Sequence, residues 1–245
     1  MFDLSSTFVK YVYLFHTSYI KLKNENFFAL TLLIINMSTN AYAKDFMLVS
    51  NNNEDCYIEG TIQDNLITGF GVCIDNYEVG DVGMTEHSYM YGNYESGKKT
   101  GLFLEMKVST SLDVSFSEYK NDMFDGYHIN LFGEDRYWIY QFENGIEQGL
   151  TLINYDILEA VNEYSFMVDG GADFENEITS DEIKNFEADF KVFSNLITKT
   201  FGISDIKKYA ASEESFKDLG TQAMDIIKNF LDTMCGKYDK EFCYQ

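Results

Sequence analysis

Two hydrophobic periods divide the chain. Between residues 57 and 174, apolar and aromatic positions alternate with polar ones on either side of short Gly, Asn and Asp clusters. That is the period of half-buried strands joined by tight turns. From about residue 175 the period lengthens, and Ile183, Phe186, Phe190, Phe193 and Ile197 recur at steps of three and four. Thr179-Ser180-Asp181-Glu182 precedes this run as a capping box, and Gly202 follows it as a C-terminal stop. Residues 204–211 read as a short helical turn. Ser212-Glu213-Glu214 opens a second helix with Phe216, Leu219, Ala223, Ile226, Ile227, Phe230 and Met234 on one side, ending at Gly236. Such a helical hairpin is expected to cover the end of the strand array, because open sheets need end protection.

The strand region repeats. YIEGTIQDNLITGFGVCID, YMYGNYESGKKTGLFLEM, SFSEYKNDMFDGYHINLF and WIYQFENGIEQGLTLIN share one skeleton, counted from Gly60, Gly92, Ser117 and Tyr140. At offset +2 stand Ile62, Tyr94, Tyr119 and Phe142; at +5, Asn65, Gly97, Asp122 and Gly145; at +9, Gly69, Gly101, Gly126 and Gly149. The copies start 32, 25 and 23 residues apart, and a fifth, EYSFMVDGG, follows 25 later with Ser165, Met167 and Gly170. The +5 residues tolerate the positive φ of a hairpin turn. The +9 glycine opens the returning strand, where a missing side chain admits a close neighbour. The ladder Tyr94, Tyr119, Phe142 is expected to form a stacking core, since a single hairpin has too little core to stand alone. Tyr89, Tyr91, Tyr127 and Tyr137 point outward in this reading and are candidates for a binding surface.

This skeleton resembles the MORN repeat (membrane occupation and recognition nexus), with its pattern Y-x-G-x-aromatic-x-x-Gly/Asn-x-x-x-G-x-G, over about residues 57–154, and partially to 174. Copy one carries Gly60, Asn65, Gly69 and Gly71, with Ile62 in place of the aromatic residue. Copy two has Phe103 where the last glycine belongs, and copies three and four replace the first glycine by Ser117 and Tyr140. The resemblance implies an elongated, twisted, single-layer sheet of hairpins used for binding or scaffolding, with no fixed activity. The fold class expected is therefore α+β: an antiparallel β-hairpin array over 44–174 with a helical hairpin cap over 175–245.

The first 43 residues differ from both regions. Lysines near the start, the apolar run Phe27–Ile35 and then Ala41-Tyr42-Ala43 before Lys44 give the order of a secretory signal, with cleavage between Ala43 and Lys44. Nine residues are about half of what spans a bilayer. The expected location is therefore periplasmic or secreted. Four cysteines follow, Cys56, Cys73, Cys235 and Cys243, an even set that suits an oxidising compartment. Three connectivities are open to four cysteines. A turn about Asp64-Asn65 sets Cys56 and Cys73 equally far from it on opposed strands, within disulfide reach. Cys235 and Cys243 are then left to pair.

Charge narrows the partner. The chain carries 18 basic and 40 acidic residues, net −22, and a single arginine, Arg136. Without residues 1–43, which hold three lysines and two acids, the net charge is −23. Such a field disfavours nucleic acid and anionic membranes and suits a basic protein. It also runs against the lipid binding proposed for some MORN proteins. No catalytic constellation, metal set or cofactor motif stands out. His87 and His128 lack a nucleophile motif nearby, and Asp169, Asp173, Glu175, Glu177 and Asp181 do not follow calcium-loop spacing. The expected function is an exported, non-enzymatic module that binds proteins through its repeat sheet. Two alternatives are a secreted effector with activity on the C-terminal helices and an inhibitor or immunity-type protein for a basic target.

Overall fold

The computed structural model describes residues 45–238 apart from short stretches at 52–53, 65, 80–83, 110, 134–135, 156–160 and 174–176. These residues fall within one compact unit spanning 44–245. The signal segment 1–43, with the Ala43–Lys44 junction, lies outside them, as do Asn65 and Cys243.

Twelve strands are described: β1 (Asp45–Asn51), β2 (Glu54–Gln63), β3 (Leu66–Val79), β4 (Met84–Glu95), β5 (Lys98–Val108), β6 (Leu112–Lys120), β7 (Met123–Gly133), β8 (Arg136–Glu143), β9 (Ile146–Glu147), β10 (Gly149–Tyr155), β11 (Val161–Val168) and β12 (Gly171–Asp173). They form one antiparallel sheet in sequence order, with the short β9 pairing β8 off the main path. Apart from β9, each strand neighbours the next along the path, so the sheet is a run of hairpins.

The turns fall where the repeat skeleton places them. Asp64, Ser96–Gly97, Asn121–Asp122, Asn144–Gly145 and Asp169–Gly170 all have positive φ, at offsets +4 and +5 of the five copies. Consecutive positive φ values build the twisted two-residue hairpin turn that suits flanking strands. A second repeating feature joins the copies. The N–H at +5 donates to the carbonyl at +7 of the copy before: Gly97 to Ile67 (2.7 Å), Asp122 to Lys99 (3.1 Å), Gly145 to Phe124 (2.8 Å) and Gly170 to Glu147 (3.0 Å). The fifth, partial copy thus keeps the same link.

The helical region also follows its sequence signals. The first helix, α1 (Ser180–Phe201), starts at the capping box, with the Thr179 side chain accepting from the Glu182 N–H and the Glu182 carboxylate accepting from the Thr179 N–H; Gly202 ends it in the left-handed conformation at φ 75°. A 3-10 helix follows at Ile206–Ala210. The second long helix, α2 (Glu213–Tyr238), starts with the Ser212 hydroxyl accepting from the Ser215 N–H at 3.1 Å. Gly236 does not end α2, which continues to Tyr238. A tertiary contact holds that last turn: Lys237 pairs with Glu59 on β2.

The helices lie across one face of the sheet, whereas the sequence reading set them at its end. Phe186, Phe190, Phe193, Ile197 and Phe201 of α1 and Phe216, Leu219, Ala223 and Ile227 of α2 share a buried cluster with Leu104, Phe116, Ile129, Ile139 and Leu152 of the sheet. Strand alternation explains why. Each sheet residue in this cluster has one parity, so a two-sided sheet presents a continuous apolar face that only another layer can bury. Burying that broad face removes far more apolar area from water than covering a strand edge.

Candidate functional site

The helix-covered face contains the four tyrosines expected to point outward, which corrects that expectation. Tyr91 meets Phe201 and Phe230, with ring centroids 6.1 and 5.2 Å away. Tyr127 lies 5.6–6.2 Å from Phe186, Phe190 and Phe193, and Tyr137 is buried. Tyr89 packs against the same cluster. Burial, with Asp189 adding to it, pushes the Tyr127 hydroxyl up to about 12. The parity of these tyrosines was readable from sequence, but the layer on top of them was not.

The opposite face, here the ring face, is built from aromatic residues. Tyr94, Phe103, Tyr119, Phe124 and Phe142 form an unbroken series of ring contacts, at 5.3, 5.2, 4.6 and 5.0 Å. The expected ladder of Tyr94, Tyr119 and Phe142 is present, with further rings inserted in it. Phe103 and Phe124, from the returning strands, lie between them. The alternation of β5 and β7 would have placed both residues on that face. The Tyr119 hydroxyl donates to Glu105 at 2.9 Å, and Lys99 sits 4.6 Å over its ring. Burial first, then the Glu105 charge, raises the Tyr119 hydroxyl far above its ordinary value.

The series extends towards β8 as a half-buried patch. His128 contacts Phe124 (5.3 Å) and Tyr140 (5.8 Å), Tyr140 contacts Phe142 and Trp138 (6.2 Å each), and Trp138 contacts Phe132 (4.5 Å). Phe132, Trp138, Tyr140 and Phe142 are all half-buried, and no described helix lies on this face. Charged groups border the patch. Burial raises the Asp113 carboxyl; Lys107 and Arg136 oppose that shift, and Glu86 adds to it.

The sheet pairs Ser117 with His128, and the serine Oγ lies 2.7 Å from His128 Nδ1. A serine and histidine at hydrogen-bond distance have the geometry of an activated nucleophile. Ser117, however, is 0% exposed, so no substrate reaches its oxygen in this fold. Burial, and secondarily the Lys107 charge, holds the imidazole down to about 4, so it is neutral at pH 7. The pair instead fills space. Ser117 and His128 occupy offsets 0 and +11, the same register partners as Gly92 and Phe103 in copy two. A Cβ on Gly92 would fall 2.6 Å from the Phe103 ring. Glycine faces phenylalanine and serine faces histidine, and in copy four the large Tyr140 stands at offset 0 and the smaller Thr151 at +11. The missing first glycines of copies three and four are therefore compensated across the strand.

Cys56 and Cys73 are direct register partners on β2 and β3 and form a disulfide, with Cα atoms 3.9 Å apart. Their bridge lies on the ring face, where Cys73 Sγ is 2.9 Å from the Tyr94 hydroxyl. Cys235 is also disulfide-bonded, while Cys243 is outside the described residues. Among the described residues, no group of three or more His, Cys, Asp or Glu side chains could hold a metal ion.

No family model matches the chain, and neither does any curated protein.

Proposed function

We propose that the chain is an exported, non-enzymatic binding or scaffolding module of MORN-like hairpins, and that the ring face is its binding surface. One observation carries this reading: the described helices bury one side of the sheet, while Phe132, Trp138, Tyr140 and Phe142 remain half-buried on the other. Large aromatic residues with part of their surface open are typical anchors of protein interfaces. The net charge of −23 without residues 1–43 favours a basic protein as the partner, because opposite fields speed encounter. Export rests on the signal-like order of residues 1–43, and the Cys56–Cys73 disulfide fits an oxidising compartment.

Affinity capture with the wild-type chain and with Trp138→Ala/Tyr140→Ala tests the binding surface. Proteins captured by the wild type should be lost with the variant, while its circular dichroism stays unchanged. Trp138 is the sole tryptophan, so a purified partner should also change the intrinsic fluorescence. Identical capture by both proteins would remove the ring face from the proposal. N-terminal sequencing of exported material should read Lys-Asp-Phe-Met; an intact Phe27–Ile35 segment outside the cytoplasm would refute cleavage at Ala43.

A further inference from the structure

A second surface runs along the hairpin turns. Among the described residues, six large apolar side chains are exposed, and four of them line this rim: Leu66 (49% exposed), Met123 (46%), Ile146 (48%) and Val168 (43%). Leu66, Met123 and Ile146 share offset +6, and Lys98 holds that place in copy two. Val168, opposite the +6 residue Gly171 of copy five, stands on β11, one strand from Ile146, so the even spacing runs over copies one to four. Strand parity puts the row on the same side of the sheet as the helices. A polar row separates it from the helix-covered core, with Thr68 accepting from the Ser96 N–H (2.9 Å), Asp125 from the Asn144 N–H (3.2 Å) and Gln148 donating to Asp169 (2.9 Å). The rim is therefore not the fringe of the buried cluster. Carboxylates flank it at Asp64, Glu95, Asp122, Glu143 and Asp169, against Lys98 and Lys120; Lys120 is paired with Asp125 and Lys99 is turned to the ring face.

Spacing identifies what fits. Successive copies are two strands apart, or about 9.6 Å at ordinary strand separation. A polyproline II segment returns to the same side every three residues, about 9.3 Å. An α-helix with apolar residues seven apart advances about 10.5 Å per step and drifts nearly 3 Å out of register between copies one and four. A β-strand puts every third residue on the opposite face. We propose that the rim docks an extended, cationic polyproline II segment of a protein partner, with a large apolar residue at every third position and lysine or arginine between. The proposal deepens the reading of the array as a binding module, but it uses a different surface from the ring face.

The test is fluorescence anisotropy of the full chain with a labelled peptide of four Leu-Lys-Pro repeats, and with a scrambled peptide of the same composition. The ordered peptide should bind, weaken with added salt, and bind at least roughly tenfold more tightly than the scrambled one. Met123→Ser/Ile146→Ser should lose binding by a similar factor with unchanged circular dichroism, since both side chains are already half in water. Trp138→Ala/Tyr140→Ala should bind the peptide like the wild type. Absence of binding, equal binding of the scrambled peptide, or an unaffected rim variant would overturn the proposal. A dimer that the rim variant dissolves would also overturn it, by making a second copy the occupant. If protein capture fails on the ring face while the peptide still binds the rim, the ring-face reading falls and this one stands.

Discussion

The first hairpin and the three after it use the same glycine offset for different physical ends. In copy one the strands pair without a slip, and Gly60 faces Gly69 directly. A Cβ built on Gly60 would lie 2.0 Å from the Thr68 carbonyl oxygen, so the glycines are there for space. In copies two to four the +9 glycines, Gly101, Gly126 and Gly149, take φ of 81°, 118° and 84°, and the register slips after Gly92 and Ser117. Here glycine supplies a backbone conformation, the bulge of a bent strand. The side chain at +1 then takes up the amide that the bulge frees: Glu118 accepts from the Tyr127 N–H and Gln141 from the Leu150 N–H, both at 2.9 Å. One sequence signature therefore hides two structural roles, and substitution separates them.

Gly60→Ala should have the largest effect, destabilising by at least about 4 kcal/mol or preventing folding, because no rotamer relieves a clash with backbone. Urea denaturation measures this; a loss within about 1 kcal/mol would mean that the first hairpin is bulged like the others. Cys56→Ala/Cys73→Ala should cost about 3 kcal/mol, as expected for a disulfide closing a loop of 17 residues. The comparison is sharpened if the later copies keep their amide protection in that variant; reduction of the wild type should cost more, because it also opens the Cys235 bridge.

Within the later copies, the Ser117–His128 pair should give an acid-sensitive stability. The folded chain holds His128 near 4, while an unfolded histidine takes its proton near 6.5. Stability from the neutral imidazole is complete above about pH 6.5, falls as the pH drops from there, and is lost below about 4. The size is roughly 3 kcal/mol. Ser117→Gly/His128→Phe, which transfers the copy-two pair into copy three, should remove that part of the pH slope and refold normally. Urea midpoints between pH 7 and 4 check it, and equal slopes for the two proteins would sink the packing account. The smallest effect belongs to Gly101→Ala, about 1 kcal/mol, since its Cβ meets nothing within 4 Å and only the positive φ is strained. Gly101→Asn should cost less.

Much of this architecture was legible in the chain. The +5 turn residues, Thr179 and Glu182 of the capping box and the Cys56–Cys73 register are local matters, decided by a few neighbouring residues and by counting along two strands from a turn. The +9 glycines were recognised, but their split into two roles was not, because a bulge depends on which residue faces the glycine across the strand. Likewise, Phe103 and Phe124 sit on the ring face by simple alternation, yet only the folded sheet shows them inserted between the ladder residues.

By itself, the sequence determined the hairpin array, its turns, the first disulfide and both helices with their starts, since each follows from backbone preferences and short-range periodicity. The tertiary structure decided which face the helices cover. Alternation states that Tyr91 and Tyr127 share one side and Tyr94 and Tyr119 the other, but both sides are rich in aromatic residues. Choosing between them depends on how the apolar stripes of α1 and α2 fit the two surfaces. That fit is a sum over contacts far apart in the chain, such as Phe201 against Tyr91 and Phe193 against Tyr127. No local pattern encodes it.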